Sequence, residues 1–153
     1  MSGELVLVAL DPGDLDGQHH ILDAARAEAE SRGARMAAVL VVEGAPHPLA
    51  GPGFEQRVAR LTREATERAS DWLNRTMGAD RVEAHVAHGT ASDEILRLAK
   101  RLGATAIVMG ERRHRIASRL LGSAARSVSD SAPCPVILVE PVTHAGGSGS
   151  DRT

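Results

Sequence analysis

ATAIVMGERRHRIASRLLGSAARSVSDSAPCPVILV, residues 104–139, runs between two apolar stretches through a polar loop and a helical pattern. The first stretch, Ala106–Met109, stops at Gly110, and an arginine-rich loop leads to Gly122-Ser123. Beyond the helical pattern, Ala132-Pro133-Cys134-Pro135 introduces the second apolar run. The order reads as buried strand, glycine-bounded loop, helix, buried strand. In a parallel α/β sheet, ligands bind where loops leave the carboxyl ends of strands. Glycine reaches backbone angles closed to other residues and lets an anion approach the main chain. A helix opening after such a loop presents unpaired N–H groups and a partial positive charge. An ordinary strand–helix–strand connection, with glycines placed only for turning, fits the same spacing.

The rest of the chain repeats that alternation. Glu4–Leu10 is almost continuously apolar and ends at Asp11-Pro12-Gly13, which predicts a strand buried on both faces. Asp11 therefore falls at the sheet's carboxyl edge. A helix is expected from about Gly17 to Arg32, with Ile21, Leu22, Ala25 and Ala29 as its apolar stripe and Gly33 as its cap. Ala34–Val42 reads as a second buried strand. Ala45–Gly53 holds three prolines and two glycines in nine residues and reads as a mobile loop. From Phe54 to about Met77, apolar residues at steps of three and four predict a long amphipathic helix. Arg81–Ala87 reads as a strand near a sheet edge, Ser92 as the cap of the next helix, and Gly103 as that helix's stop. Five strands alternating with four helices give a Rossmann-like open parallel sheet with helices on both faces. One domain over residues 1–141 is expected, with a disordered Gly/Ser-rich tail over 142–153.

Composition narrows the function classes. Aromatic residues are 1% of the 153, with Phe54, Trp72 and no tyrosine, so aromatic platforms for stacking on single-stranded nucleic acid are almost absent. A net charge of -2 also argues against a polyanion, and hence nucleic acid, as the main partner. Cys134 is the sole cysteine, which excludes an internal disulfide and any cluster of cysteine ligands. The first apolar run has the length of a strand, too short to insert in a membrane, so a soluble cytoplasmic protein is the expectation.

Several of these segments together resemble the universal stress protein family. The likeness spans Glu4–Pro141 and rests on Leu7–Asp11, Val39–Glu43, His88-Gly89-Thr90-Ala91, Ile107–Gly110, Gly122-Ser123 and Ala132–Val136. It implies a sheet of order 3-2-1-4-5 and a homodimer paired through the last strand, residues 136–139. Some members bind ATP and others do not. The binders carry G-x-x-G, nine residues, then G-[ST]. Here Gly110 opens the motif and Gly122-Ser123 closes it, but Arg113 stands at the second glycine and only eight residues, 114–121, follow it. Arg112, Arg113, Arg115 and Arg119 crowd this loop, and guanidinium groups can hold phosphate in place of the missing glycine. The resemblance implies an adenine nucleotide, ATP with Mg in the fullest case, held by Asp11, Val41, Gly89, Gly110, Arg113, Gly122, Ser123 and Ala124. Asp11 would face the adenosine portion and Val41 would meet adenine mainly through its backbone. The alternative role for Asp11 is to order the Asp-Pro-Gly turn.

Other chemistry finds less support. Among the seven histidines, His85 and His88 lie three apart in a strand and so point to opposite faces, and His19-His20 open a helix facing solvent. Cys134, between two prolines, reads as a packing residue. Three functions remain open: a nucleotide-responsive regulatory module, a nucleotide-independent dimeric interaction protein, and a nucleotide hydrolase. The hydrolase has least behind it, because no residue pattern supplies a general base beside a phosphate site.

Overall fold

Residues 3–43, 51–78, 82–112 and 121–142 are described by the computed structural model of the chain. The strands are β1 (Leu5–Leu10), β2 (Arg35–Val42), β3 (Glu83–His88), β4 (Ala106–Gly110) and β5 (Val136–Val139). The helices are α1 (His19–Arg32), α2 (Phe54–Met77), α3 (Ala91–Leu102) and α4 (Ser123–Ser131). All strand pairs are parallel, in the order β3-β2-β1-β4-β5, as the sequence implies.

Every residue of β1 is buried, and the period of two along a strand sends them to opposite faces. Val6, Val8 and Leu10 pack with Leu22 and Ala25 of α1 and with Ala69, Trp72 and Leu73 of α2. Leu5, Leu7 and Ala9 pack with Ile95 and Ala99 of α3 and with Ala125 and Val128 of α4. Two helices thus cover each face. The apolar stripe read on α1 is the one that is buried. Gly33 and Gly103 close α1 and α3 in the left-handed region (φ 62° and 67°), where a side chain would be strained. No described helix is long and apolar enough to cross a membrane.

Three boundaries differ from the sequence reading. Helix α1 starts at His19, because Leu15–Gln18 forms a tighter 3-10 turn. The buried Gln18 side chain accepts from Asp11 N–H (2.7 Å) and donates to the carbonyls of Asp11 (2.8 Å) and Asp14 (2.7 Å), which winds this segment closely. Thr90, in an extended conformation, precedes α3, so Ser92 lies inside the helix and does not cap it. The cause is that Gly89 N–H still donates to Val42 O (3.1 Å), which carries strand-like pairing up to the residue before Thr90. Strand β3 starts at Glu83 and sits on the sheet edge, paired only with β2. Most of the loop read over Ala45–Gly53, and the tail beyond Val142, lie outside the described residues.

Leu7 is completely buried in the central strand. Leu7→Ala should lower the unfolding free energy by about 2–5 kcal/mol, the usual cost of emptying such a site, measured by urea denaturation.

Candidate functional site

The strand order reverses beside β1: the chain moves outward to β2 and β3, then returns across the sheet to β4. Such a reversal opens a crevice at the carboxyl ends of the two central strands. Here the crevice is a cleft of about 820 Å³ walled by the β1–α1 loop, the end of β2, the β4 loop, α2 and the start of α4. That volume suits a ligand of nucleotide size.

Asp11 leaves β1 at the rim. Its Oδ1 accepts from Gly13 N–H at 2.9 Å, so it does order the Asp-Pro-Gly turn. Its Oδ2 has no partner among the described residues, and the residue lines the cleft. The turn role and a ligand role are therefore compatible. Val41 is buried on the face covered by α3 and α4, and it too lines the cleft.

Gly110 ends β4 and Gly122 packs against the Glu111–Arg112 main chain just beyond it, and neither glycine is there for its backbone angles. Gly122 is extended (φ -65°, ψ 155°), and Gly110 is not among the glycines with positive φ, so neither uses an angle closed to other residues. Space is what selects them. A Cβ at 122 would lie 3.1 Å from Arg112 Cα and 3.2 Å from Glu111 O, and one at 110 would lie 3.2 Å from Ile21 Cδ1. The loop is drawn tight by Gly122 N–H to Glu111 O (2.8 Å) and Glu111 N–H to Val139 O (2.9 Å). Ser123 and Ala124 follow as the first residues of α4, and no side chain caps that helix. The first turn of a helix has N–H groups without intrahelical partners, and Ser123 and Ala124 line the cleft.

Asp11, Val41, Gly110, Gly122, Ser123 and Ala124 thus share one cleft. Gly89 does not line it. Its φ of 149° and its packing against the Glu94 side chain place it at the β3–α3 junction. Arg113 lies outside the described residues, as do Arg115 and Arg119.

Some wall residues had no clear sequence signal. Leu61, Ala65 and Arg68 form one stripe of α2 along the cleft, and Leu61 is 49% exposed there. Both Leu61 and Ala65 fall on the apolar stripe that the three- and four-residue spacing predicts for this helix, and cleft and core lie on that same face. Glu111 and Arg112 pair with each other at 3.0 Å inside the cleft wall. His20, half-buried, also lines the cleft, while His19 is exposed as expected and meets Trp72 in a tilted ring contact with centres 5.1 Å apart. Among the described residues, no group of three or more His, Cys, Asp or Glu is arranged to hold a metal ion. Cys134 is half-buried against the α3/α4 side of the core; burial pushes its thiol up, partly offset by the charge of Arg32.

The sequence profile of the universal stress protein family matches residues 4–140. This chain belongs to that family. A universal stress protein from Thermus aquaticus is 36% identical over 128 residues, covering 81% of this chain and 93% of that protein. Among solved structures, the universal stress protein UspA of Lactobacillus plantarum superposes with a TM-score of 0.71 at 23% identity, over 91% of this chain and 99% of its own. The Archaeoglobus fulgidus family member solved in complex with dAMP gives a TM-score of 0.61 at 26% identity, over 90% and 98%. A family member solved in complex with cAMP gives 0.58 at 22%, over 92% and 100%.

Because the space at 122 is closed by the protein's own main chain, Gly122→Val should destabilise the protein with no nucleotide added. A loss of about 1–3 kcal/mol, typical of overpacking, is expected in thermal or urea unfolding.

Proposed function

We propose that the chain is a nucleotide-responsive regulatory module of the stress response, whose cleft takes ATP or a related adenine nucleotide. The observation that carries this reading is convergence. Six residues singled out in the sequence, Asp11, Val41, Gly110, Gly122, Ser123 and Ala124, come from four separate segments and line one cleft of nucleotide size. Each part of a nucleotide finds suitable chemistry there. Val41 and Ile95 offer apolar surface to a base, and Leu61 stands exposed on the opposite wall. The unpartnered Asp11 oxygen can accept from a ribose hydroxyl. The uncapped start of α4 supplies N–H groups and the positive end of the helix dipole to a phosphate. The dAMP and cAMP complexes of family members lend support at the level of the ligand class. A triphosphate would bring Mg with it; no residue is assigned to that ion.

Equilibrium titration of ATP, ADP, AMP and cyclic AMP into the purified protein tests the reading. Saturable binding of at least one is expected, and binding of none at millimolar concentration would sink it. Arg113 sharpens the test. If it replaces the motif's second glycine as a phosphate contact, Arg113→Ala should weaken nucleotide binding by about 1.5–3 kcal/mol, the usual worth of a hydrogen bond to a charged group. Stronger binding by Arg113→Gly would instead mean that the arginine obstructs the site.

A second reading, a dimeric interaction protein that works without nucleotide, is favoured by β5. This strand pairs only with β4, and all four of its residues are half-buried. The carbonyls of Pro135 and Val139 accept from Ile107 and Glu111, so the main-chain groups of Val136 and Leu138 point to the free edge. An apolar strand with such an edge is suited to pairing with its counterpart across a two-fold axis. Light scattering should then show a homodimer at micromolar concentration. Leu138→Pro, which removes an N–H from the outer edge alone, should yield a folded monomer.

A further inference from the structure

Glu111 stands where an anionic ligand would least tolerate it. Its carbonyl holds Gly122, and its side chain lines the same cleft as Gly122 and Ser123. The Arg112 main chain and Cβ pack against Gly122, the residue before α4, and Glu111, Arg112 and Ser123 all line the cleft. Arg112 Nη1 donates to Glu111 Oε1 at 3.0 Å, with the two side chains only 22% and 26% exposed. Solvent and salt screen a pair at that depth less than one on an open surface. Glu111 is also the sole ionic partner of Arg112 among the described residues.

We propose that Glu111 is a built-in competitor for phosphate: its carboxylate and a nucleotide phosphate contend for the Arg112 guanidinium. The inference rests on the nucleotide reading and adds to it the residue pair that sets how strongly phosphate counts. Carboxylate and phosphate present the same kind of paired oxygen acceptors to a guanidinium, so one substitutes for the other. A phosphate on Arg112 must first break the pair, which offsets much of what the new contact contributes. The nucleoside part of a ligand therefore carries most of the affinity, and each added phosphate contributes little.

The test is titration of adenosine and AMP, without divalent metal, into the wild type, Glu111→Gln, Arg112→Ala and the double variant, with melting curves for all four. Glu111→Gln should tighten AMP about tenfold, as expected when a partly buried competing charge is removed, and leave adenosine within about twofold. The gain should vanish when Arg112 is also replaced. Glu111→Ser, smaller and equally neutral, should reproduce the gain should the glutamine variant prove unstable. Unchanged or weaker AMP binding in both neutral variants overturns the proposal. So does a gain that survives in the double variant, because Glu111 would then act on phosphate directly. In those cases the wild type still binds adenosine and AMP, so the nucleotide reading stands. Failure of all the proteins to bind either ligand overturns both.

Discussion

Burial of β1 on both faces is the constraint from which the rest of the structure follows. Its six residues are all buried, so neither face can be left to water, and one layer of helices cannot cover both. Helices α1 and α2 close one side and α3 and α4 the other. With parallel strands and right-handed crossovers, changing the covered face requires the chain to change direction across the sheet. It does so between β3 and β4, on either side of β1. Strands β1 and β4 then send their following loops apart, and the cleft opens between them. The site is a consequence of how the core is covered.

This explains why the fold was legible in the sequence and the site only partly. Uninterrupted apolar runs such as LVLVAL and the three- and four-residue steps of α2 reflect burial, and burial is what composition records directly. The positions of Asp11 and Gly122 were legible because strand ends and helix starts are marked by punctuating residues. The contribution of α2 was not. Leu61 and Ala65 lie on the stripe that also holds Ala69 and Trp72, and periodicity alone cannot show where that stripe passes the end of the sheet. Gln18 was missed for a different reason. A polar residue beside a helix start is common, and its burial depends on three hydrogen bonds to the backbone of the preceding loop. Gly89 is a motif residue that lies at the β3–α3 junction, outside the lining of the described cleft, while Ala91 and Ile95 just beyond it do line that cleft.

The glycines of the β4 loop illustrate how one residue type serves two physical ends. The sequence suggested conformational freedom, yet Gly122 is extended and could be alanine on backbone angles alone. What excludes a side chain is the approach of the Glu111–Arg112 main chain to 3.1–3.2 Å of its Cβ position. That approach brings the loop onto the start of α4. The same absence of a side chain that permits this packing puts no Cβ of residue 122 over the helix's first N–H groups. Structural and ligand-binding explanations of Gly122 are therefore the same geometry seen from its two sides.

The cleft's charges bear on what a regulatory module can sense. A ligand shifts a protein between states only by the difference in its affinity for them. Were the described walls uniformly cationic, each added phosphate would raise affinity in both states, and charge would dominate over identity. The walls are instead mixed: Asp11, Asp14, Glu43 and Glu111 stand among Arg68 and Arg112. Arg112, whose main chain packs against Gly122 at the start of α4, is already paired with a carboxylate. If the proposed nucleotide binds under that balance, the apolar surface of Val41, Ile95 and Leu61 would carry the weight of base recognition, worth roughly 25 cal/mol for each Å² removed from water. In the proposed competition phosphate would act by rearranging an ion pair, and the residue bearing its carboxylate is tied to the end of β5 through Glu111 N–H and Val139 O. Were phosphate to bind there, a change at that end of the cleft would reach the edge strand through this hydrogen bond, and with it the strand proposed to meet a second subunit.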